Sequence, residues 1–343
     1  MKQRKVESFD ELLEKLQQLQ EQDVDRDGKY DEIVSVLKKL YQIVRQDRSN
    51  KYLLSPEYVK NQIVKYLVHY GTYLKTVYRK DDLLAEEKLQ EALKYEKMLP
   101  IAYYRLGFLA YKAKNYVEAM NHFHQAIKTN ELCRNQMYQL NELQQYYAHL
   151  YLENSALYIA EFAKKRAEQL NEDEQYSFVP NYEIANLYEV IRRNEQFLNQ
   201  HAFRVLKQAS TINCSKDEAE EYLEEEDHVI LYFSDRENLL IYNDVDTILL
   251  KNHAEMLRFF MLNSRESEPL SVETFINDKE ITRNAIIQRI RRLREKLNEI
   301  GLPPTIIQTS QRNRNEQGKY YYDQSFPYII IHRTDHDFML DFR

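Results

Sequence analysis

Apolar positions in the first part of the chain recur at three- and four-residue spacing, the period of an α-helix. Leu12, Leu13, Leu16 and Leu19 mark a first amphipathic helix, which Ser8 or Asp10 can cap. Val36, Leu37, Leu40 and Ile43 mark a second between Ile33 and Val44. Leu150 to Leu170 is a helical run holding Ala156, Ala160, Ala163 and Ala167, and Tyr182 to Leu206 is another, with Ile184, Leu187, Val190, Ile191 and Phe197. From His228 the pattern changes. HVILYF (228–233) is rich in β-formers, residues 234–238 make a turn, and 239–242 and 247–250 read as further short strands. Helical spacing returns from Asn252 to Leu262, with Ala254, Leu257, Phe260 and Met261 inward, and after Ser271 through Val272, Phe275 and Ile276. Ile306 to Thr309 and Lys319 to Tyr322 are predicted strands on either side of a polar hairpin loop at 312–318.

Between these lies the stretch ITRNAIIQRIRRLREKL, Ile281 to Leu297. Ile286, Ile290, Leu293 and Leu297 fall on one stripe, and Arg289, Arg291, Arg292, Arg294 and Lys296 crowd the rest of the surface. Thr282 or Asn284 can cap its start, and Gly301 with Pro303 and Pro304 supplies its stop. Such a helix either offers arginines to a polyanion or is a solvated surface helix with ordinary salt bridges. Only Glu295 and Glu299 oppose its charge locally, so the cations are poorly paired within the helix.

A length of 343 residues suits two or three domains. Only 5 Gly and 7 Pro interrupt it, so long helices should dominate, and with no Trp its 28 Tyr must supply much of the aromatic packing. The net charge of -7 confines any nucleic-acid site to a local patch. Residues 281–319 are such a patch, with nine Lys or Arg against three Glu. Two distant cysteines, Cys133 and Cys214, argue for a reducing compartment and against a disulfide scaffold or a thiolate zinc site. The basic N-terminus runs into an acidic helical pattern where a signal peptide needs an apolar core, and no apolar run approaches membrane-spanning length. A soluble cytoplasmic protein without membrane contact is expected.

Ala85, Leu89 and Ala92 recur as Ala119, Phe123 and Ala126, each 34 residues on. Tyr103 and the pair Leu106–Gly107 precede the second set, whereas Thr72 and Tyr73 stand where the first would need Leu-Gly. The segment from 100 to about 130 resembles a tetratricopeptide repeat. That resemblance implies stacked helix pairs over 51–210 whose concave face grips a peptide or protein, the alternative being a scaffold that only dimerises or spaces domains. His122 and His124, two residues apart on one helix, point to different faces and so share no metal.

Two acidic stretches carry sharper alternatives. In DVDRDGK (23–29), Asp23, Asp25 and Asp27 precede Gly28 with the spacing of an EF-hand loop, but Val34 falls where its bidentate Glu belongs, so an acidic interhelix turn is expected. SKDEAEEYLEEED (215–227) reads as a solvated linker within 211–227, or as a decoy that shields the basic helix. Phosphate-loop, dinucleotide, zincin and serine-hydrolase motifs are absent from the sequence, so neither an enzyme nor a cofactor or metal site is expected.

The order of small sheet, three helices and closing hairpin over 228–325, with the string IRRLREKL (290–297), the strand IIQT and GKYYY after the loop, resembles the OmpR/PhoB-type winged helix-turn-helix of bacterial response regulators. The resemblance implies that residues 281–297 enter a major groove. Arg291, Arg292 and Arg294 match the family's arginines, Asn284, Gln288 and Arg289 lie earlier on the same helix, and Lys296 joins them. Arg312 or Arg314 in the wing would reach the minor groove, with Lys319 at its base. The loop SQRNRNEQGKYYY is longer than the family's compact turn, and helical repeats stand where a phosphoacceptor domain would, so phosphorelay control is not implied. The expected fold is mainly α: a helical segment at 1–50, a TPR-like array at 51–210, a linker at 211–227 and an α+β winged-helix domain at 228–343. The expected function is a bacterial transcriptional regulator that binds double-stranded DNA, as a dimer on repeated half-sites, and a peptide or protein through its repeats. The alternative is an adaptor whose winged domain docks protein.

Overall fold

A computed structural model describes residues 8–21, 29–47, 54–76, 81–170, 185–234, 237–275, 282–310, 318–334, 336 and 338. The helices are α1 (Phe9–Glu21), α2 (Lys29–Gln46), α3 (Pro56–Thr76), α4 (Asp82–Tyr95), α5 (Pro100–Lys112), α6 (Tyr116–Leu132), α7 (Glu142–Leu170), α8 (Ala185–Gln200), α9 (Lys216–Glu221), α10 (Lys251–Asn263) and α11 (Arg283–Glu299). The strands are β1 (Phe203–Lys207), β2 (Thr211–Cys214), β3 (Val229–Phe233), β4 (Asn238–Tyr242), β5 (Val245–Leu249), β6 (Leu270–Ser271), β7 (Ile307–Thr309), β8 (Lys319–Tyr322) and β9 (Tyr328–Arg333). The N-terminal part is thus helical and the C-terminal part a mixed sheet region. Two compact units result, one of residues 67–75 and 81–201, the other of 1–66, 76–80 and 202–343. The possible calcium loop at 23–29 lies, but for Lys29, outside the described residues.

In the helical unit, consecutive helices from α4 to α8 pack side by side. Asp81 caps α4 by accepting from the Leu84 N–H at 2.9 Å, Asn115 caps α6, and Pro100 opens α5 where its missing N–H costs nothing. The two repeated triplets, Ala85, Leu89, Ala92 and Ala119, Phe123, Ala126, are all fully buried. Two glycines let the helices approach. A Cβ on Gly107 would stand 2.9 Å from the Phe123 ring, and one on Gly71 would stand 2.7 Å from Leu89 Cγ. Gly71 therefore meets Leu89 as Gly107 meets Phe123, two residues before the Thr72–Tyr73 pair's end of the predicted register.

The second unit is built on a six-stranded sheet of order β2-β1-β9-β3-β4-β5, in which only β9 and β3 run parallel. β3 is buried at all five positions and β9 at five of six, as expected for central strands covered on both faces. Alternation divides them between two cores. Val229, Leu231, Phe233 and Ile330 join the cluster that contains α10 and α11, while Ile230, Tyr232, Ile329 and Ile331 join one closed by Ala219 of α9. In the same unit, α1 opens on a reciprocal cap between Ser8 and Glu11 and packs against α2.

Two expected boundaries differ. The run expected to stay helical through Leu206 ends at Gln200, and Phe203–Lys207 pairs with β9 in the sheet. The stretch expected as a linker, 211–227, holds a strand, the helix α9 with a full capping box at Ser215 and Glu218, and a 3-10 turn. Its carboxylates Glu220 and Glu225 pair locally, with Lys216 at 3.4 Å and Lys207 at 2.6 Å.

Candidate nucleic-acid interface

Helix α11 is fixed at both ends. The Thr282 hydroxyl accepts from the Ala285 N–H at 3.3 Å. At the other end the Gly301 N–H donates to Asn298 O and the Leu302 N–H to Leu297 O, both at 3.1 Å, with Gly301 at φ +83°. This is a Schellman stop, and the left-handed backbone it needs is open to glycine without strain. Ile286, Ile290, Leu293 and Leu297 are buried in the larger core, together with Leu302 beyond the stop.

The predicted site residues divide into three groups. Asn284, Gln288, Arg291 and Arg292 are exposed, on the side of α11 away from the apolar stripe. Arg291 Nε lies 3.2 Å from Glu295 Oε1, with the two side chains 72% and 60% exposed, an ion pair that water and salt readily exchange. Lys296 is half-buried and pairs with Glu299 at 2.6 Å.

Arg289 and Arg294 are placed differently from the expectation that they reach nucleic acid. Arg289 is buried, because its position follows Ile286 by three residues and precedes Leu293 by four, so it lies at the edge of the buried stripe. Arg294 is half-buried. Its Nε donates to Ile307 O at 2.9 Å, its Nη2 to the same oxygen and to Thr309 Oγ1, and its guanidinium carbon lies 5.3 Å from the centre of the Tyr320 ring. Burial pulls its pKa below the usual guanidinium value. Lys319 is half-buried in β8, and Arg312 and Arg314 lie outside the described residues.

Beside α11 stands a three-stranded sheet of order β6-β8-β7. Ser264 at the end of α10 ties it down, donating to Phe260 O at 2.6 Å and accepting from the Tyr322 N–H at 2.8 Å. One further cation belongs to this arrangement. Arg283, the first residue of α11, pairs through Nε with Glu273 at 3.3 Å, and its Nη2 lies 2.5 Å from where a Cβ on Gly318 would stand. The sequence signal for it is its place one residue after the cap Thr282.

In the helical unit, His122 is half-buried with its ring 6.3 Å from that of Tyr103, and burial lowers its pKa; His124 is exposed. Among the described residues no three His, Cys, Asp or Glu side chains are placed to hold a metal ion, and no helix is long and apolar enough to cross a membrane. No family model, curated protein or solved structure matches the chain.

Proposed function

We propose that the chain is a cytoplasmic, sequence-specific DNA-binding transcriptional regulator of winged-helix type, and that its helical unit is a TPR-like array that binds a peptide or protein. One observation carries the DNA reading. A helix capped at both ends and seated on four buried aliphatic residues turns Asn284, Gln288, Arg291 and Arg292 outward together. Asparagine and glutamine match adenine edges and arginine matches guanine, while the same arginines also neutralise phosphate. Arg294 and Ser264 hold the neighbouring hairpin and α10 in place and serve positioning rather than readout. A ligand on the helical unit regulates DNA binding only by its different affinity for two arrangements of the protein.

The burial of Arg289 and the hydrogen bonds of Arg294 within the fold favour a second reading, an adaptor whose C-terminal region docks protein. Selection from a random-sequence duplex pool with the full chain, followed by gel shift at rising salt, separates the two. A regulator enriches one motif and loses affinity steeply with salt. Failure to retain any duplex at low salt rules out the regulator and leaves the adaptor.

A further inference from the structure

Three helices of the helical unit meet at a polar cluster that the DNA-reading surface does not involve. Glu195 of α8 accepts on a single oxygen, Oε1, from the Tyr111 hydroxyl of α5, from the Tyr158 hydroxyl of α7 at 3.2 Å and from Asn154 Nδ2 of α7 at 3.4 Å. Asn154 Nδ2 also donates to the Tyr111 oxygen at 2.9 Å. Aromatic rings surround these groups. Tyr158 stacks on Tyr116 with centroids 4.1 Å apart, and Tyr111 sets its ring at a steep angle to Tyr116 at 5.5 Å and to Tyr151 at 4.9 Å.

The donors and acceptors do not balance. Each tyrosine hydroxyl has one proton; Tyr111 and Tyr158 direct theirs to Glu195, and the Tyr116 hydroxyl shares a hydrogen bond with that of Tyr158. Burial, reinforced by the neighbouring carboxylate, pushes the pKa of Tyr111 and of Tyr158 far above the usual phenol value, so both remain donors at any physiological pH. What remains is acceptor capacity alone. Asn154 Oδ1 has no donor in a residue that is 0% exposed, and the hydrogen bonds of the half-buried Glu195 fall on Oε1 among the described residues. No lysine or arginine pairs with Glu195 among the described residues, and Lys165 is committed to Glu161 at 2.5 Å. A cluster that only glued helices together would explain Oε1 and leave the carboxylate without a cation beside it, which is costly in a half-buried site.

We infer that the Tyr111–Asn154–Tyr158–Glu195 cluster receives a cationic N–H group, the ammonium or guanidinium of a bound peptide. This rests on the reading that the helical unit binds peptides. The ligand brings what Glu195 lacks, a positive charge beside it and N–H protons for Oε2. The faces of Tyr116 and Tyr158 add the attraction of their π-systems for a cation.

The test uses the immobilised full chain and synthetic octapeptide pools, random except for one fixed residue: Lys, Arg, or the neutral isostere norleucine. A fourth and fifth pool compare free with acetylated amino termini. Retention of a Lys, Arg or free-terminus pool about tenfold above its neutral counterpart is expected, and which pool wins identifies the source of the cation. Glu195→Gln removes that preference while overall retention persists. Because Glu195 also joins three helices, Tyr116→Leu, which removes the stacked ring and one hydrogen bond to Tyr158 but leaves the bonds to Glu195 in place, should lower the same preference severalfold in a variant with unchanged circular dichroism. Equal retention of charged and neutral pools overturns the cation site and leaves peptide binding standing. Retention of no pool removes both.

Discussion

Arg294 reaches from α11 to the main-chain oxygen of Ile307 in β7, its Nε donating at 2.9 Å and its Nη2 donating to the same oxygen from the same edge of the guanidinium. The contact makes one basic residue of the helix part of the fold's own framework. Replacing it with alanine removes charge-assisted hydrogen bonds and the stacking on Tyr320, at a cost of about 2 kcal/mol. Arg294→Ala should therefore lower the midpoint of urea unfolding, and Arg294→Lys should recover little, because an ammonium cannot fork around one oxygen and reach Thr309 as well. An unchanged midpoint in both variants would show that the hairpin is held by other means.

Arg291 and Arg292 should behave in the opposite sense. Both are exposed, so Arg291→Ala and Arg292→Ala should leave stability within about 0.5 kcal/mol of the parent. On a selected duplex, each should weaken specific binding by about 1–3 kcal/mol if its arginine reads a base, and reduce the salt slope by about one charge if it touches phosphate. Variants that match the parent in titrations at several salt concentrations would exclude both roles.

Gly318 offers a test of how the start of α11 is coupled to the hairpin. It sits at φ +98°, and a methyl group there would meet Arg283 Nη2 at 2.5 Å. Gly318→Ala should cost about 1–2 kcal/mol from backbone strain alone. The side-chain clash is avoidable, since a guanidinium is the end of a flexible chain. In a double-mutant cycle Arg283→Ala should then restore at most a few tenths of a kcal/mol, and a larger recovery would mean that Arg283 is held rigidly between Glu273 and the hairpin.

The register of α11 was open to reading because its stripe and both stop signals are local. Arg289 is buried although its charge suggests the surface, because the spacing from Ile286 and to Leu293 puts it at the edge of the apolar stripe. The short strands β3 to β5 are legible from their β-forming residues and the turn between them. β9 is not: the apolar run Tyr328–Ile331 is too short to show a period, and its parallel partner β3 lies about a hundred residues earlier, so no local pattern announces the pairing. FRVLK reads as the end of the preceding helix, because five residues cannot establish a period of two against a long helical run. Gly71 precedes Gly107 by 36 residues rather than 34, so it falls outside the 34-residue register of the buried triplets. The cluster at Glu195 joins side chains from three helices, and no spacing along the chain encodes that convergence.

Tyr138 makes the helical unit sensitive to alkali. Burial first, then the nearby Glu96 and Cys133, push its pKa up to about 12 from an ordinary value of 10.0. A phenol that ionises less readily when folded favours the folded state, and that contribution is complete below about pH 10 and lost as pH rises through about 12. The shift corresponds to about 3 kcal/mol, and Tyr111 and Tyr158 act in the same direction. Tyr138→Phe should flatten the fall in stability between pH 10 and 12 measured by urea unfolding. An identical pH profile in parent and variant would show that Tyr138 reaches water in the folded state.

Gly107→Ala sets two opposing effects against each other. In a helix interior alanine is favoured over glycine by about 1 kcal/mol. Against that, the added Cβ would meet three atoms of the Phe123 ring at 2.9 to 3.0 Å, and Phe123 is 0% exposed. A ring packed on all sides has no short rotation that escapes, so α5 and α6 must separate slightly, with an overpacking cost of about 1–3 kcal/mol. The net effect should be destabilising. Phe123→Leu in the same chain opens room beside the new methyl group, so the double variant should be more stable than the sum of the two single changes predicts. A Gly107→Ala protein that melts above its parent would show that the two helices already have the slack to part, and that the glycine is there for propensity's sake no more than any other residue.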